Sequence, residues 1–152
     1  MKSRFLIFST LLLTVMCIGS AKNAMAQSVS GSTVVGSRPF IVVTVSAREG
    51  GNGGVLRMGQ GQTQAIAHTI DICVQGNTAF VVAEITKTSG GFAGTEGQFL
   101  QFGFVDNGSD RDVILVVDGV FGAFPTQVPA CDLFSALSVP VEVSRGSFQV
   151  KP

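Results

Sequence analysis

Apolar and polar residues alternate with a period of two over most of the chain, which predicts strands joined by glycine-rich turns. The sharpest case is Asp71-Ile72-Cys73-Val74-Gln75-Gly76-Asn77-Thr78-Ala79-Phe80-Val81-Val82. A two-residue loop with glycine first suits a hairpin turn whose first central residue has positive φ. Such a turn fixes register, so Gln75 faces Thr78, Val74 faces Ala79, Cys73 faces Phe80 and Ile72 faces Val81. By alternation Ile66, His68, Ile70, Ile72 and Val74 fall on one face, the expected core face, and Thr69, Asp71 and Cys73 on the other. In the return strand Phe80 and Val82 lie on one side and Ala79, Val81 and Ile85 on the other. Both sets are apolar, the pattern of a strand covered on both faces.

The same reading places strands at Phe40 to Ala47, after a proline suited to a strand's first position, and at Val55 to Met58. It places a strand from about Gln64 into the hairpin, whose return ends near Thr86. Gln98 to Val105, with Leu100, Phe102 and Phe104 on one face, and Val113 to Val120 form a second hairpin around the polar turn Asp106 to Asp112. Thr33-Val34-Val35 is a short first strand. Phe121 to Pro140 carries three prolines and Cys131 and reads as an irregular crossover. Val141 to Ser144 and Phe148 to Val150 close the chain around Arg145-Gly146. No amphipathic helix and no long-period repeat is visible. Together these elements predict an all-β fold, a single antiparallel β-sandwich or flattened β-barrel of about seven to nine strands, with the sandwich as first choice.

Lys2 and Arg4, the apolar run from Phe5 to about Gly19 and the small-residue site Ala24-Met25-Ala26 read as a signal peptide cleaved before Gln27. The run is short for a membrane span. Cys17 lacks the leucine and small residue of a lipobox, so ordinary cleavage is expected. Three segments follow: signal peptide 1–26, a partly ordered stretch 27–37 and one β domain over 38–152. Export implies a bacterial periplasmic or extracellular product with no transmembrane segment after cleavage. Cleavage removes Lys2, Arg4 and Lys22 and leaves seven cations against ten carboxylates, a net charge of −3. That balance argues against nucleic acid as a partner, since a basic footprint is what neutralises phosphates.

Cys73 and Cys131 are the two cysteines left after cleavage, and in an oxidising compartment a disulfide is their default use. Two lone cysteines and a single histidine do not make a zinc ligand set. The ten phenylalanines of the mature chain, with neither Trp nor Tyr, suit a core or the lining of an apolar pocket. They do not suit a sugar-stacking surface, which favours rings with a polar handle.

Cys73, the Gly76-Asn77-Thr78-Ala79 turn, Asp106-Asn107-Gly108, Cys131 after a proline-rich stretch and Gly146-Ser147-Phe148-Gln149-Val150 occur in an order that resembles a group of exported bacterial β-domains of uncharacterised role. In that group a cysteine precedes a Gly-Asn-x-Ala hairpin and an Asp-Asn-Gly turn follows later. The resemblance covers most of residues 38–150. The group's first cysteine sits two residues further from the turn, where this chain has Asp71, and a two-residue shift keeps the same strand face. The resemblance implies an exported β-module, sometimes attached to larger surface proteins, and brings no catalytic residues.

Candidate chemistry is sparse. His68 has no Gly-x-Ser-x-Gly elbow to serve, and it reads as a structural or rim histidine. Asp106, Asp110 and Asp112 surround a glycine in a loop of the kind that can hold calcium. The spacing is not that of an EF-hand, and Arg111 adds a competing charge. Asn107-Gly108-Ser109 is formally a glycosylation sequon. Glu84 and Asp118 sit in apolar strands and could share an interior as paired carboxylates for acid–base work, but alternation turns each to solvent. The function these features favour is a non-catalytic exported domain in surface structure or binding, with an unidentified protein or small molecule as partner. The alternatives are a small barrel that carries an apolar ligand and a small enzyme built on Glu84, Asp118 and His68. No cofactor is expected beyond the calcium candidate.

Overall fold

The computed structural model describes residues 26–36, 41–50, 54–116, 123–124, 129–133 and 139–152. The signal segment up to residue 25, Asp118 and most of the Phe121 to Pro140 crossover lie outside them. The strands are β1 (Ser28–Val35), β2 (Ile41–Arg48), β3 (Val55–Gln60), β4 (Thr63–Gln75), β5 (Thr78–Ser89), β6 (Phe99–Val105), β7 (Val113–Val116), β8 (Ala123–Phe124) and β9 (Val139–Lys151). Every pairing is antiparallel. Neighbours run β5-β4-β3-β2-β1-β9-β7-β6, and β5 also pairs with β6, so the sheet closes on itself. Eight strands therefore form a barrel in chain order, and between the two architectures expected from sequence the barrel is the one adopted.

Strand β8 continues the line of β7. Val113 faces Val105 on β6, and Ala123 faces Leu100 further along the same strand. β1 begins at Ser28, earlier than alternation suggested, and is a full wall strand between β2 and β9.

The Gly76-Asn77 turn is as expected. Gly76 has φ of 62°, and the register pairs Gln75 with Thr78, Val74 with Ala79, Cys73 with Phe80 and Ile72 with Val81. Upstream the core-face reading needs correction. Thr69 faces Ala83 while Asp71 faces Val82, so two residues of β4 advance against one of β5 and the alternation changes parity. Ile72 and Val74 point inward as expected, but before the bulge the inward residues are Ala65, Ala67 and Thr69. His68 is on the exposed outside.

At the far end of the chain, Arg145-Gly146 is not a turn. β9 runs unbroken from Val139 to Lys151, and Gly146, with φ of 90°, pairs with Thr33 one position before the register shift at Val34/Val35. A Cβ there would lie 2.1 Å from the Ser32 carbonyl oxygen, so the position requires glycine. The neighbouring shift, with Ser144 as the extra residue of β9, is the kind of irregularity by which a long strand follows the curvature of a barrel.

The interior is filled by Val29, Val43, Leu56, Met58, Phe102, Phe104 and Phe148, each at most 2% exposed. Phe104 and Phe148 meet edge to face with centroids 4.8 Å apart, and Phe102 lies 5.9 Å from Phe104. Gly31 makes room for Phe148, since a Cβ on Gly31 would come within 2.8 Å of its ring.

A second, smaller core lies outside the wall. Cys73, Phe80, Val82, Ala130 and Leu133 pack together with Ile70, Phe99 and Leu115. Phe80 and Leu115 converge over Gly103, whose missing side chain accommodates both. The cover over this patch is the short 3-10 turn Ala130–Asp132. A Cys73–Cys131 disulfide, with Cα atoms 5.1 Å apart, pins it to the wall. The Asp71 carboxylate, two residues along the same outward face, accepts the Ala130 N–H at 2.8 Å. This explains why β5 is apolar on both faces.

The bond closes a loop across a sequence separation of 58, for which the chain-entropy model gives about 4 kcal/mol. The Cys73→Ala/Cys131→Ala double variant is expected to lose stability of that order in urea denaturation. An unchanged midpoint would show that the bond does not restrain the chain.

Candidate functional site

The described candidates for chemistry occupy two places on the barrel. His68 on β4 stands directly opposite Glu84 on β5, and both are exposed on the outer wall. Asp118, the third of that set, lies outside the described residues. An ion pair lies elsewhere, Arg111 with Glu142 at 3.8 Å, both well exposed. A further carboxyl, Glu96, accepts a hydrogen bond from the Thr88 hydroxyl, which holds it below its usual range. Its contribution favours the fold above the ordinary carboxylate range and is lost as pH falls.

The Asp106 to Asp112 loop does structural work that alternation could not reveal. β7 begins at Val113, opposite Glu142, so the later part of β9 has no strand on that side. Buried Asp112 fills the place, its two carboxylate oxygens accepting the Phe148 N–H at 2.6 Å and the Asn107 N–H at 2.9 Å. Asp106 accepts from Val150 N–H at 3.2 Å and from Gly108 N–H at 2.9 Å. Asn77, in the central hairpin turn, donates to the Asp106 carbonyl at 2.9 Å and accepts the Asp106 N–H there. Asp110 is exposed. Among the described residues no three of His, Cys, Asp and Glu gather as a metal-ion group.

Gln27 completes a different gap. β3 pairs with β4 no further along than His68, which leaves the last residues of β4 without a neighbour on that side. The Gln27 side-chain oxygen accepts the Val74 N–H at 2.9 Å. Its backbone exchanges bonds with Glu49, donating to the carboxylate at 3.2 Å and accepting from the N–H at 2.7 Å.

The outer wall of β9, β1, β2 and β3 has a composition unlike the rest. Register puts Lys151, Ser28 and Arg48 in one row, Gln149, Ser30 and Ser46 in the next, and Ser147, Ser32, Thr44 and Arg57 in a third. Arg145 begins a fourth row beside Val34 and Val42. Ser32 and Thr44 hydroxyls are 2.9 Å apart. Arg48, Arg57, Arg145 and Lys151 are all exposed. Glu49, the carboxylate next to them in sequence, is turned to the Gln27 N–H. The remaining carboxylates of the described wall strands and of the Asp106 to Asp112 loop sit on β4, β5, that loop and the β7-paired part of β9. Two concavities open on this wall. One, of about 290 Å³, is lined by Ser28, Ser30, Ser46, Arg48, Gly54 and Lys151. The other, of about 550 Å³, includes Val42, Thr44, Arg57 and Gln64. Sequence reasoning passed over this surface, although the alternating Ser28, Ser30 and Ser32 and the alternating Thr44, Ser46 and Arg48 carried its signal.

The fold defines the class, a small eight-stranded antiparallel β-barrel with an external disulfide-pinned cover. Comparison with protein-family models, with curated proteins and with solved structures finds no match. Among the described residues no helix is long and apolar enough to cross a membrane.

Asp112→Ala removes the acceptor for two backbone N–H groups, one of them buried, and is expected to cost about 2–4 kcal/mol, since each buried donor left unsatisfied costs roughly 1–3 kcal/mol. Asp112→Asn keeps one acceptor oxygen and should cost about half. Asp110→Ala, at an exposed position, should change stability by no more than about 0.5 kcal/mol. Thermal melts of the three variants check the order, and equal losses at 110 and 112 would contradict this role.

Proposed function

We infer that the chain is an exported, non-catalytic binding or surface module that meets its partner with the outside of the barrel. The observation that carries the reading is the packed interior. An eight-stranded barrel is just wide enough to be filled by side chains or to hold one small ligand. Here the Phe104–Phe148 contact, with Phe102, Leu56 and Met58, occupies that space. The polar groups support the same reading, because Asp71, Asp106, Asp112 and Gln27 each accept backbone N–H groups where the wall lacks a strand partner or holds its cover. The disulfide suits an oxidising compartment, and the resemblance to exported β-modules agrees with it.

The competing carrier reading makes the opposite demand on the interior. Titration of a fluorescent fatty acid into the mature protein is therefore expected to give no saturable enhancement. One-to-one saturable uptake, displaced by unlabelled fatty acid, would put the function inside the barrel and overturn the reading. In the same preparation, the chain from an exporting host should begin at Gln27 and be two hydrogens lighter than its reduced form.

A further inference from the structure

We propose that the outer wall formed by β9, β1, β2 and β3 binds an anionic polysaccharide. The proposal rests on the reading that the exterior is the working surface, and it names the partner class. Its basis is a juxtaposition: hydroxyls in adjacent register (Ser30, Ser32, Thr44, Ser46) framed by the cations Arg48, Arg57, Arg145 and Lys151.

Scale comes from strand geometry. Arg48 and Lys151 flank Ser28 on either side, so their backbones are about 10 Å apart, and the run from Ser28 to Val34 extends the patch to about 20 Å. A chain of sugars offers what this surface complements. Its ring hydroxyls donate and accept, as serine and threonine hydroxyls do. Its carboxylate or sulfate groups recur along the polymer, as the cations recur along the wall. The groove between Arg48 and Lys151 supplies a concave seat for one such group beside Ser28, Ser30 and Ser46.

The absence of Trp and Tyr from the whole chain sharpens the class. Neutral sugars are generally held by stacking on such rings. A surface of hydroxyls and cations without them discriminates by charge. Single-stranded nucleic acid also wants aromatic platforms for its bases, and none of the residues placed on this wall is aromatic. Membrane insertion wants an apolar stripe, whereas Val42, at 37% exposure, is the only large apolar side chain exposed among the described residues.

Affinity electrophoresis of the mature protein through gels containing polygalacturonate, heparin or dextran tests the proposal. Retardation is expected with at least one of the two polyanions, none with dextran, and a loss of retardation as salt screens the exposed charges. Arg48→Glu/Lys151→Glu should weaken binding tenfold or more. Lys87→Glu/Arg111→Glu makes the same change in net charge away from the patch and should weaken it less than threefold. Thermal melts establish that both variants fold. If charge reversal unfolds the chain, Arg48→Gln/Lys151→Gln replaces it, with the same tenfold weakening expected. No retardation by either polyanion, equal weakening by the two charge-reversal variants, or a preference for phosphatidylglycerol vesicles over both polysaccharides would overturn the proposal. None of these outcomes bears on ligand uptake by the interior, so the broader reading stands or falls separately on the fatty-acid titration.

Discussion

A barrel wall must satisfy every backbone N–H and C=O that it removes from water, and closure does this only while each strand has a neighbour on both sides. The strands here are unequal. β4 and β9 have 13 residues each, whereas β3 has 6 and β7 has 4. The long strands therefore overrun the short ones on either side of the barrel. At β9 the overrun is answered by the carboxylates of Asp112 and Asp106, which accept the Phe148 and Val150 N–H groups. At β4 it is answered by the side chain of Gln27, which accepts the Val74 N–H. These side chains stand where the carbonyls of a longer neighbouring strand would have stood, and the closed wall depends on them.

The same inequality divides the outside of the barrel into two halves. Around β4, β5, β6 and β7 the wall carries Cys73, Phe80, Val82 and Leu115, and a disulfide-held turn covers them. Around β9, β1, β2 and β3 no described residue covers the wall, which exposes Arg48, Arg57, Arg145 and Lys151 and carries its one carboxylate, Glu142, on the β7-paired part of β9. The covered half adds to stability by burying apolar surface on both sides of one sheet. On the other half the outward residues of β1 and β2 are mostly short serine and threonine side chains.

Local patterns carried much of this. The Gly76-Asn77 turn, its register and the two-sided burial of β5 were legible because a tight turn fixes pairing and a strand's two faces are set by its alternation. The cysteine pair was legible from compartment chemistry. The inward face of β4 before Asp71 was not, because one extra residue at the bulge reverses the parity on which the reading of Ile66, His68 and Ile70 relied. Gly146 misled for a related reason. A glycine with positive φ serves a turn and a strand position beside a register shift equally well, and only the presence of β1 alongside selects the second. The outward hydroxyl rows were visible strand by strand in Ser28 to Ser32 and Thr44 to Arg48, but not as one surface.

An all-β chain, the central hairpin, the cysteine pairing and a phenylalanine-rich core were readable from the order of residues alone, since each follows from neighbours a few residues apart or from the number and kind of residues present. Closure into a barrel, the acceptor roles of Asp112 and Gln27 and the gathering of Lys151, Arg48 and Arg57 on one wall were decided only in three dimensions. Each depends on which strands lie side by side, and β1 joins β9 across most of the length of the chain. Such pairing is set by the lengths and bulges of all the strands together, because a closed sheet has to satisfy its last edge with whatever the first one leaves open.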